Sequence, residues 1–476
     1  MLSVLAVWIF NSDGFYFIDD SSHYNYNRHF FTNYDQSTGS WHRMGRVLLY
    51  ALPARFGLKG VQIASAVIFI LTIYFAYRIL KLKQIPHAEW IIPLIGFQPV
   101  LFNISYTTLA ELPAAFLIIL SYYFYLKDKP SAALLSSSLI FLFRTEYFYA
   151  TGIFFLIYFY RKNYRVLPLA VTGPLIWYVY TTVITMNPLQ FFHDMTLHAR
   201  LEKIDTGIDW NYYLLRIPKI YGIPQTIFSI AALVITVYRN KFNIIAMPLL
   251  FFITGIFVHT LLALKGLDLT CSIGQLRYVA VVGPVFGLIS ATGAGYFFNT
   301  IKNKIFHYIM FVLLLITMFI FGPYSTPFHK KFEIEKVSEE IARLAESEYK
   351  DYVIISNLHQ LANALDEPQT GGRRFKTLSE DNVRNHEKAI IVWCHYLEGS
   401  PFVEQNLSLK EIESIENVKL IREYQQEAID NCMSIPIYRL RQNTENEFIR
   451  EFIDYMIADQ TSWEEINIKI FQKSPQ

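Results

Sequence analysis

The chain has 476 residues, of which 53% are hydrophobic and 17% charged, against roughly 25% charged in an ordinary soluble protein. Its 42 Lys and Arg residues nearly balance its 40 Asp and Glu residues, so there is no basic field of the kind that holds nucleic acid. Composition places the chain in a lipid bilayer and excludes a soluble nucleic-acid-binding protein.

Met1–Phe10 is apolar but too short to cross, because a spanning helix needs about 20 residues. No basic region precedes it and no small-residue cleavage site follows, so it does not read as a cleavable signal peptide. The natural N-terminus is expected upstream of Met1. Apolar segments then run over roughly 60–80, 88–108, 111–126, 131–143, 147–160, 166–186, 219–238, 243–264, 278–298 and 305–322, which predicts ten helices, or about eleven with the first. Alternate connections are short and basic: Lys81 with Lys83, Lys127 with Lys129, Arg161 with Lys162 and Arg165, Arg239 with Lys241, and Lys302 with Lys304. The positive-inside rule makes these cytoplasmic. Residues 11–59, 108–112, 144–146, 187–218 and 265–277 are then expected on the other face, where the polar chemistry collects.

One stretch decides the parity. About thirty residues, Ser131 to Tyr160, separate two basic turns, so a chain that starts and ends on the cytoplasmic side there must go in and come back. Two helices of about 14 residues each rise only about 21 Å, short of a hydrocarbon core of about 30 Å. The turn Arg144-Thr145-Glu146 is therefore expected below the outer surface, and ionisable residues at that depth are functional candidates. The alternative is an Arg–Glu pair that only locks two helices together.

After Gly322 the texture becomes polar, with β-like runs at 352–356, 389–393, 418–424 and 434–440 and helix-like segments at 333–349, 359–366 and 445–458. The expected organisation is a transmembrane domain over 1–322 and a soluble, extracytoplasmic α/β domain over 323–476. No Gly-rich phosphate loop, internal repeat or low-complexity tract is present. Cys271, Cys394 and Cys432 lack zinc-site spacing and cannot all pair internally. Two structural thiols are expected at Cys394 and Cys432, with a disulfide between them as the alternative.

The strongest local signal is Phe17-Ile18-Asp19-Asp20, at the start of the first long polar loop. In an extended segment adjacent side chains point to opposite sides, so the two carboxylates are not a facing acid/base pair. One is expected to be catalytic and the other structural; the alternative is that both cap a following helix. Topology brings further groups to the same face: Glu111, Arg144, Glu146, His193, His198, Arg200, Gln275, Arg277 and Tyr278. Transfer of a sugar from a lipid phosphate needs this mixture. A carboxylate takes the proton of the attacking hydroxyl, and cations neutralise the departing phosphate, which requires no general acid.

The acidic pair after the first apolar stretch, Ser40-Trp41-His42-Arg43, a helix opening at Glu111, Phe143-Arg144-Thr145-Glu146, and Gly274-Gln275-Leu276-Arg277-Tyr278 before an apolar helix with Pro284 together resemble the GT-C superfamily over roughly 10–300. These are integral-membrane glycosyltransferases that use polyprenyl-phosphate sugars. Within the superfamily the layout is most similar to dolichol-phosphate-mannose-dependent mannosyltransferases and their bacterial relatives. The resemblance implies a hexose donor, mannose first, inversion at the anomeric carbon, Asp19 or Asp20 as base, and Arg277-Tyr278 near the donor phosphate. It also implies a glycan, lipid or protein acceptor and a bacterial inner-membrane location with undecaprenyl phosphate as carrier. Phe17-Ile18 stands where the eukaryotic members often have His-Pro, and Gln275 where a charged residue is usual.

Asp19, Asp20 and Glu111 offer carboxylate oxygens suited to Mg or Mn, but the first loop lacks an Asp-x-Asp pair, and metal-independent catalysis is the working expectation. Two other readings compete. An O-antigen ligase or polysaccharide polymerase would use a diphosphate-linked glycan and the mixed-charge loop 187–218. A lipid-glycan flippase or transporter would call for repeats and broken midplane helices, and no repeat is present.

Overall fold

A computed structural model gives the architecture. It describes residues 2–16, 18–39, 41–194, 208–264, 275–300, 304–321, 329, 331, 333–395, 407–429, 444, 446–451 and 463–475. The chain divides into two compact units, Met1–Ile9 with Ser37–Pro323, and Phe10–Gln36 with Tyr324–Gln476. The first is the helical membrane unit and the second a small α/β unit.

Four helices of the membrane unit are long and apolar enough to cross a bilayer: Gly57–Leu82, Tyr164–Thr185, Asn243–Ala263 and Leu276–Thr300. Shorter apolar helices lie at Met44–Ala54, Glu111–Leu126, Pro130–Leu142, Ile223–Tyr238 and Ile305–Ile316. Each apolar segment read from the sequence contains helix, but several are broken where local chemistry requires it. The single helix expected over 88–108 is three pieces, Ala88–Trp90, Ile91–Gly96 and Pro99–Ile104. Pro99 bars the preceding residue from the helical region, and Gln98 is extended with ψ 123°. Gly222, at φ 101°, divides 219–238 into Ile217–Tyr221 and Ile223–Tyr238.

Four of the basic turns stop their helices in one way. Gln84, Asp128, Lys162 and Asn240 take left-handed φ of 55°, 51°, 57° and 51°. The following N–H then reaches back into the helix, from Ile85 to Leu80, Lys129 to Phe124, Asn163 to Tyr158 and Lys241 to Thr236, at 2.7 to 3.0 Å. The Lys and Arg residues around these stops complement the negative ends of the helices.

The stretch 131–160 forms the short pair expected. Pro130–Leu142 and the turn-plus-helix Thr145–Tyr160 meet at Arg144, which is extended at φ −145° and ψ 99°. The helix Met44–Ala54 closes on this turn through Gly45, where an added Cβ would lie 2.8 Å from Leu142 Cβ and 2.9 Å from its carbonyl oxygen. Met44, Leu142 and Trp177 form the buried apolar cluster beneath it.

In the α/β unit, strands β1 (Val353–Ser356), β2 (Phe375–Thr377), β3 (Ala389–Cys394), β4 (Val418–Ile429) and β5 (Trp463–Lys473) make one mixed sheet in the order β2-β1-β3-β5-β4. β1 is parallel to β2 and β3, whereas β5 is antiparallel to β3 and β4. The all-apolar run Ala389–Cys394 is buried on both faces: Ile390, Val392 and Cys394 enter one core, Ala389, Ile391 and Trp393 the other. Cys271 and Cys432 lie outside the described residues, as does the expected run 434–440. β2 and β5 were not anticipated from the sequence, although Ile468 and Ile470 of β5 are fully buried.

Candidate active site

Glu111 begins its helix, where the unsatisfied N–H groups favour a negative charge. Its Oε1 lies 3.3 Å from Arg144 Nη2 and 3.5 Å from Arg277 Nε, so one carboxylate serves two guanidiniums. Arg144 Nε lies 3.1 Å from Glu146 Oε1. On its other side Glu146 Oε2 is 3.8 Å from Arg43 Nη2 and accepts from Thr145 Oγ1 at 3.3 Å. Arg43 Nη1 donates to that same hydroxyl at 3.1 Å. The five charged side chains are between 3% and 13% exposed. Among the described residues the cluster counts three guanidiniums against two carboxylates.

The arginines are also arranged on an aromatic floor. The Arg144 guanidinium lies over the Tyr278 ring at 4.4 Å from its centroid, and Arg277 reaches the same ring at 5.4 Å. Tyr278 itself is fixed from behind. The short helix Leu276–Val279 passes into a tighter turn, Ala280–Val282, ahead of Pro284, which takes carbonyls out of the regular helical ladder. The Tyr147 hydroxyl donates to the Tyr278 carbonyl at 2.6 Å and the Tyr221 hydroxyl to that of Val279 at 2.7 Å. Aromatic residues within apolar runs therefore supply the hydrogen bonds that hold Arg277 and Tyr278 in place.

Hydrogen-bonding capacity is left over inside the cluster. Among the described residues, Arg144 Nε and Nη2, both ring nitrogens of His259 and Oε1 of Gln275 are buried with no hydrogen-bond partner. The ion pairs of Arg144 are thus charge contacts whose N–H vectors are not spent on the carboxylates. His259 packs against the rings of Tyr147 and Tyr278 at 4.9 and 6.0 Å.

Of the residues expected at the site, Glu111, Arg144, Glu146, Arg277 and Tyr278 come together, and Gln275 stands at the N-terminus of the Arg277 helix. His193 is 64% exposed and pairs at 3.8 Å with Asp194. His198 and Arg200 lie outside the described residues. Arg43 and Thr145 lie in motifs noted in the sequence but were given no role there, and Tyr147 and His259 were not singled out. Arg43 holds a left-handed φ of 54° at the head of Met44–Ala54, a conformation that costs an L residue about 1–2 kcal/mol.

Asp19 and Asp20 belong to the other unit, in the helix Ile18–Arg28. Asp20 is 1% exposed and accepts from the Tyr16 N–H at 3.0 Å, a capping contact four residues back. Asp19 is half-buried. The pair thus divides into a capping member and a more accessible one. Among the described residues no three His, Cys, Asp or Glu side chains gather as a metal-ligand set.

No protein-family model and no curated protein matches the chain. Its fold is similar to solved structures of ArnT from Cupriavidus metallidurans. The apo form matches with a TM-score of 0.59 at 13% identity over 84% of this chain and 93% of that one. The form bound to undecaprenyl phosphate matches with a TM-score of 0.61 at 12% identity over 85% and 94%.

Proposed function

We propose that the chain is a membrane glycosyltransferase that moves a hexose from a polyprenyl-phosphate carrier to a hydroxyl of a glycan, lipid or protein acceptor, at the extracytoplasmic face of a bacterial inner membrane. The observation that carries this reading is the buried Glu111–Arg144–Glu146–Arg43–Arg277 network, with three guanidiniums to two carboxylates among the described residues and Arg144 N–H groups that are ion-paired but not hydrogen-bonded. An anion supplied from outside completes such a network. The fold supports a lipid-phosphate as that anion, since the similar ArnT structure was obtained with undecaprenyl phosphate.

In the proposed step a carboxylate of the first loop accepts the acceptor hydroxyl proton while the hydroxyl oxygen bonds to the sugar C1. The C1–O bond to phosphate breaks, and the phosphate monoester leaves with the bonding electron pair. Arg144 and Arg277 stabilise that charge where it develops. Asp19, less buried than Asp20, is the favoured base, and Asp20 holds the turn into the helix. Inversion follows from a single displacement. The basic, capped helix ends support a cytoplasmic position for those turns.

The test is turnover by the purified chain in detergent or nanodiscs with radiolabelled polyprenyl-phosphate mannose, alongside other polyprenyl-phosphate hexoses and a polyprenyl-diphosphate glycan. Release of polyprenyl phosphate with label on an acceptor is expected. Turnover of the diphosphate donor alone would move the assignment to the ligase and polymerase class. Vectorial movement of lipid-linked glycan without turnover would make the chain a flippase.

A further inference from the structure

The helix Ile18–Arg28 has the sequence IDDSSHYNYNR and lacks the apolar stripe by which a surface helix usually docks. It is nevertheless held by polar contacts from the C-terminal part of its own unit. Asn25, 1% exposed, donates through Nδ2 to Asn363 Oδ1 and to the Glu367 carbonyl, each at 2.8 Å. Its Oδ1 accepts from the Gln369 N–H at 2.9 Å. Asn363 Nδ2 donates to the Ser21 carbonyl at 3.0 Å and to Ser21 Oγ at 2.8 Å. At the end of the helix Arg28 grips Asp366 with two bonds, Nε to Oδ1 at 3.0 Å and Nη2 to Oδ2 at 3.1 Å. That contact holds the Asp366 carboxyl below its ordinary range. Asn33 Nδ2 continues the seam to the Thr370 carbonyl at 2.9 Å. Upstream, the His329 N–H donates to Ser12 Oγ at 3.0 Å and its carbonyl accepts from the Gly14 N–H at 2.8 Å.

Polar seams of this kind fix register more sharply than apolar packing, because a displaced amide leaves buried donors and acceptors unmet. A one-residue slip of the helix would turn Asp19 by about 100° and move it about 1.5 Å. We infer that the C-terminal α/β domain is the positioning scaffold of the acidic pair, with Asn25 and Asn363 as the positioning residues that set the register of helix Ile18–Arg28. This rests on the reading of Asp19 or Asp20 as the base. The domain then governs the chemical step through the base.

The experiment measures amide hydrogen exchange and steady-state kinetics on the full-length chain and its Asn363→Ala and Asn363→Asp variants. In Asn363→Asp the Ser21 hydroxyl can reverse and donate to the carboxylate, so this variant is the conservative partner. Expected for Asn363→Ala are exchange at least tenfold faster over amides 19–28, an unchanged rate over 111–126, a kcat lower by about 100-fold, the scale of a 1 Å misplacement, and a donor KM within twofold of wild type. Asn363→Asp should lie between Asn363→Ala and wild type in both exchange and kcat, and carries the test if Asn363→Ala does not fold. Faster exchange with full kcat would overturn the inference, as would a loss confined to KM or a loss of kcat with unchanged exchange over 19–28. A wild-type chain inactive on every lipid-phosphate sugar defeats the proposed function instead; a wild-type chain that turns over beside a fully active, loosened variant defeats only this inference.

Discussion

Replacing Glu111 by Gln tests the charge network most directly. Its carboxylate is 3% exposed and is the shared counterion of Arg144 at 3.3 Å and Arg277 at 3.5 Å. Removing it raises the net charge of the five-residue cluster from one to two, with both guanidiniums still buried. Each contact represents about 4 kcal/mol of attraction at an effective dielectric of about 20, partly offset by the desolvation of the carboxylate. The measured consequence of deleting one partner of a buried pair is about 3–5 kcal/mol. At roughly 2 °C per kcal/mol for a unit of this size, the unfolding midpoint of the purified protein should fall by roughly 6–10 °C. If the network is an anion site, polyprenyl phosphate should raise the midpoint of the variant by more than that of the wild type, because it supplies the missing charge. Fluorescence-monitored melting in detergent, with and without the lipid phosphate, measures both quantities. A variant as stable as wild type, or one on which polyprenyl phosphate has no greater effect, would refute the reasoning.

Asp19→Asn should reduce turnover by at least about 100-fold with the fold intact, as loss of a general base does, while Asp20→Asn should loosen the Tyr16 cap and accelerate exchange over 18–28; full activity in both would remove the base assignment. Arg43 sits at φ 54°, which costs an L residue about 1–2 kcal/mol that glycine does not incur. Arg43→Gly should therefore be more stable than Arg43→Ala by about 1 kcal/mol, with both losing donor affinity equally, as melting and donor KM would read. Burial pushes the imidazole of His329 down to about 3 and that of His359 to about 4. Below about pH 6.5 the unfolded chain takes up protons that the folded domain refuses, so stability is full above that pH and falls as acid is added. The loss approaches about 1.4 kcal/mol per pH unit and histidine below the unfolded pKa, so moving from pH 6.5 to 5 should cost the C-terminal domain about 3 kcal/mol, read as faster exchange in β1 and β3; a pH-independent rate would contradict it.

What could be read from the sequence was what local chemistry and periodicity encode. The basic turns at 81–83, 127–129, 161–165 and 239–241 mark helix ends, because a Schellman stop and the helix dipole both act within one turn of the chain. Arg144 and Glu146 were picked out through parity, and the short helix pair with its turn at Arg144 is present. The part played by Arg43, seen only as a motif residue, and by His259 was not legible: one joins the network through a backbone reversal, the other is hidden in the apolar run Asn243–Ala263. β5 carried a readable alternation at Ile466, Ile468 and Ile470, diluted by Glu464, Glu465 and Lys469. The assignment of residues 10–36 to the C-terminal unit lay beyond any local pattern. A helix held by amide and ion-pair contacts more than 300 residues away in sequence leaves no hydrophobic period to detect.

The cost of the arginine network is itself an argument about function. Burying an ion cluster rarely improves on apolar packing of the same volume, and a helical membrane unit has abundant Leu, Ile and Phe with which to fill that space. Here the chain instead places three guanidiniums and two carboxylates around a turn between two undersized helices, holds one arginine in a left-handed conformation, and commits Tyr147 and Tyr221 to repairing the helix break beside Arg277. A structural lock would balance its charges and saturate its donors. Among the described residues this cluster holds three guanidiniums against two carboxylates, and Arg144 Nε and Nη2 meet their carboxylates without hydrogen-bond geometry. Both features suit the proposed function, in which an incoming anion completes the network.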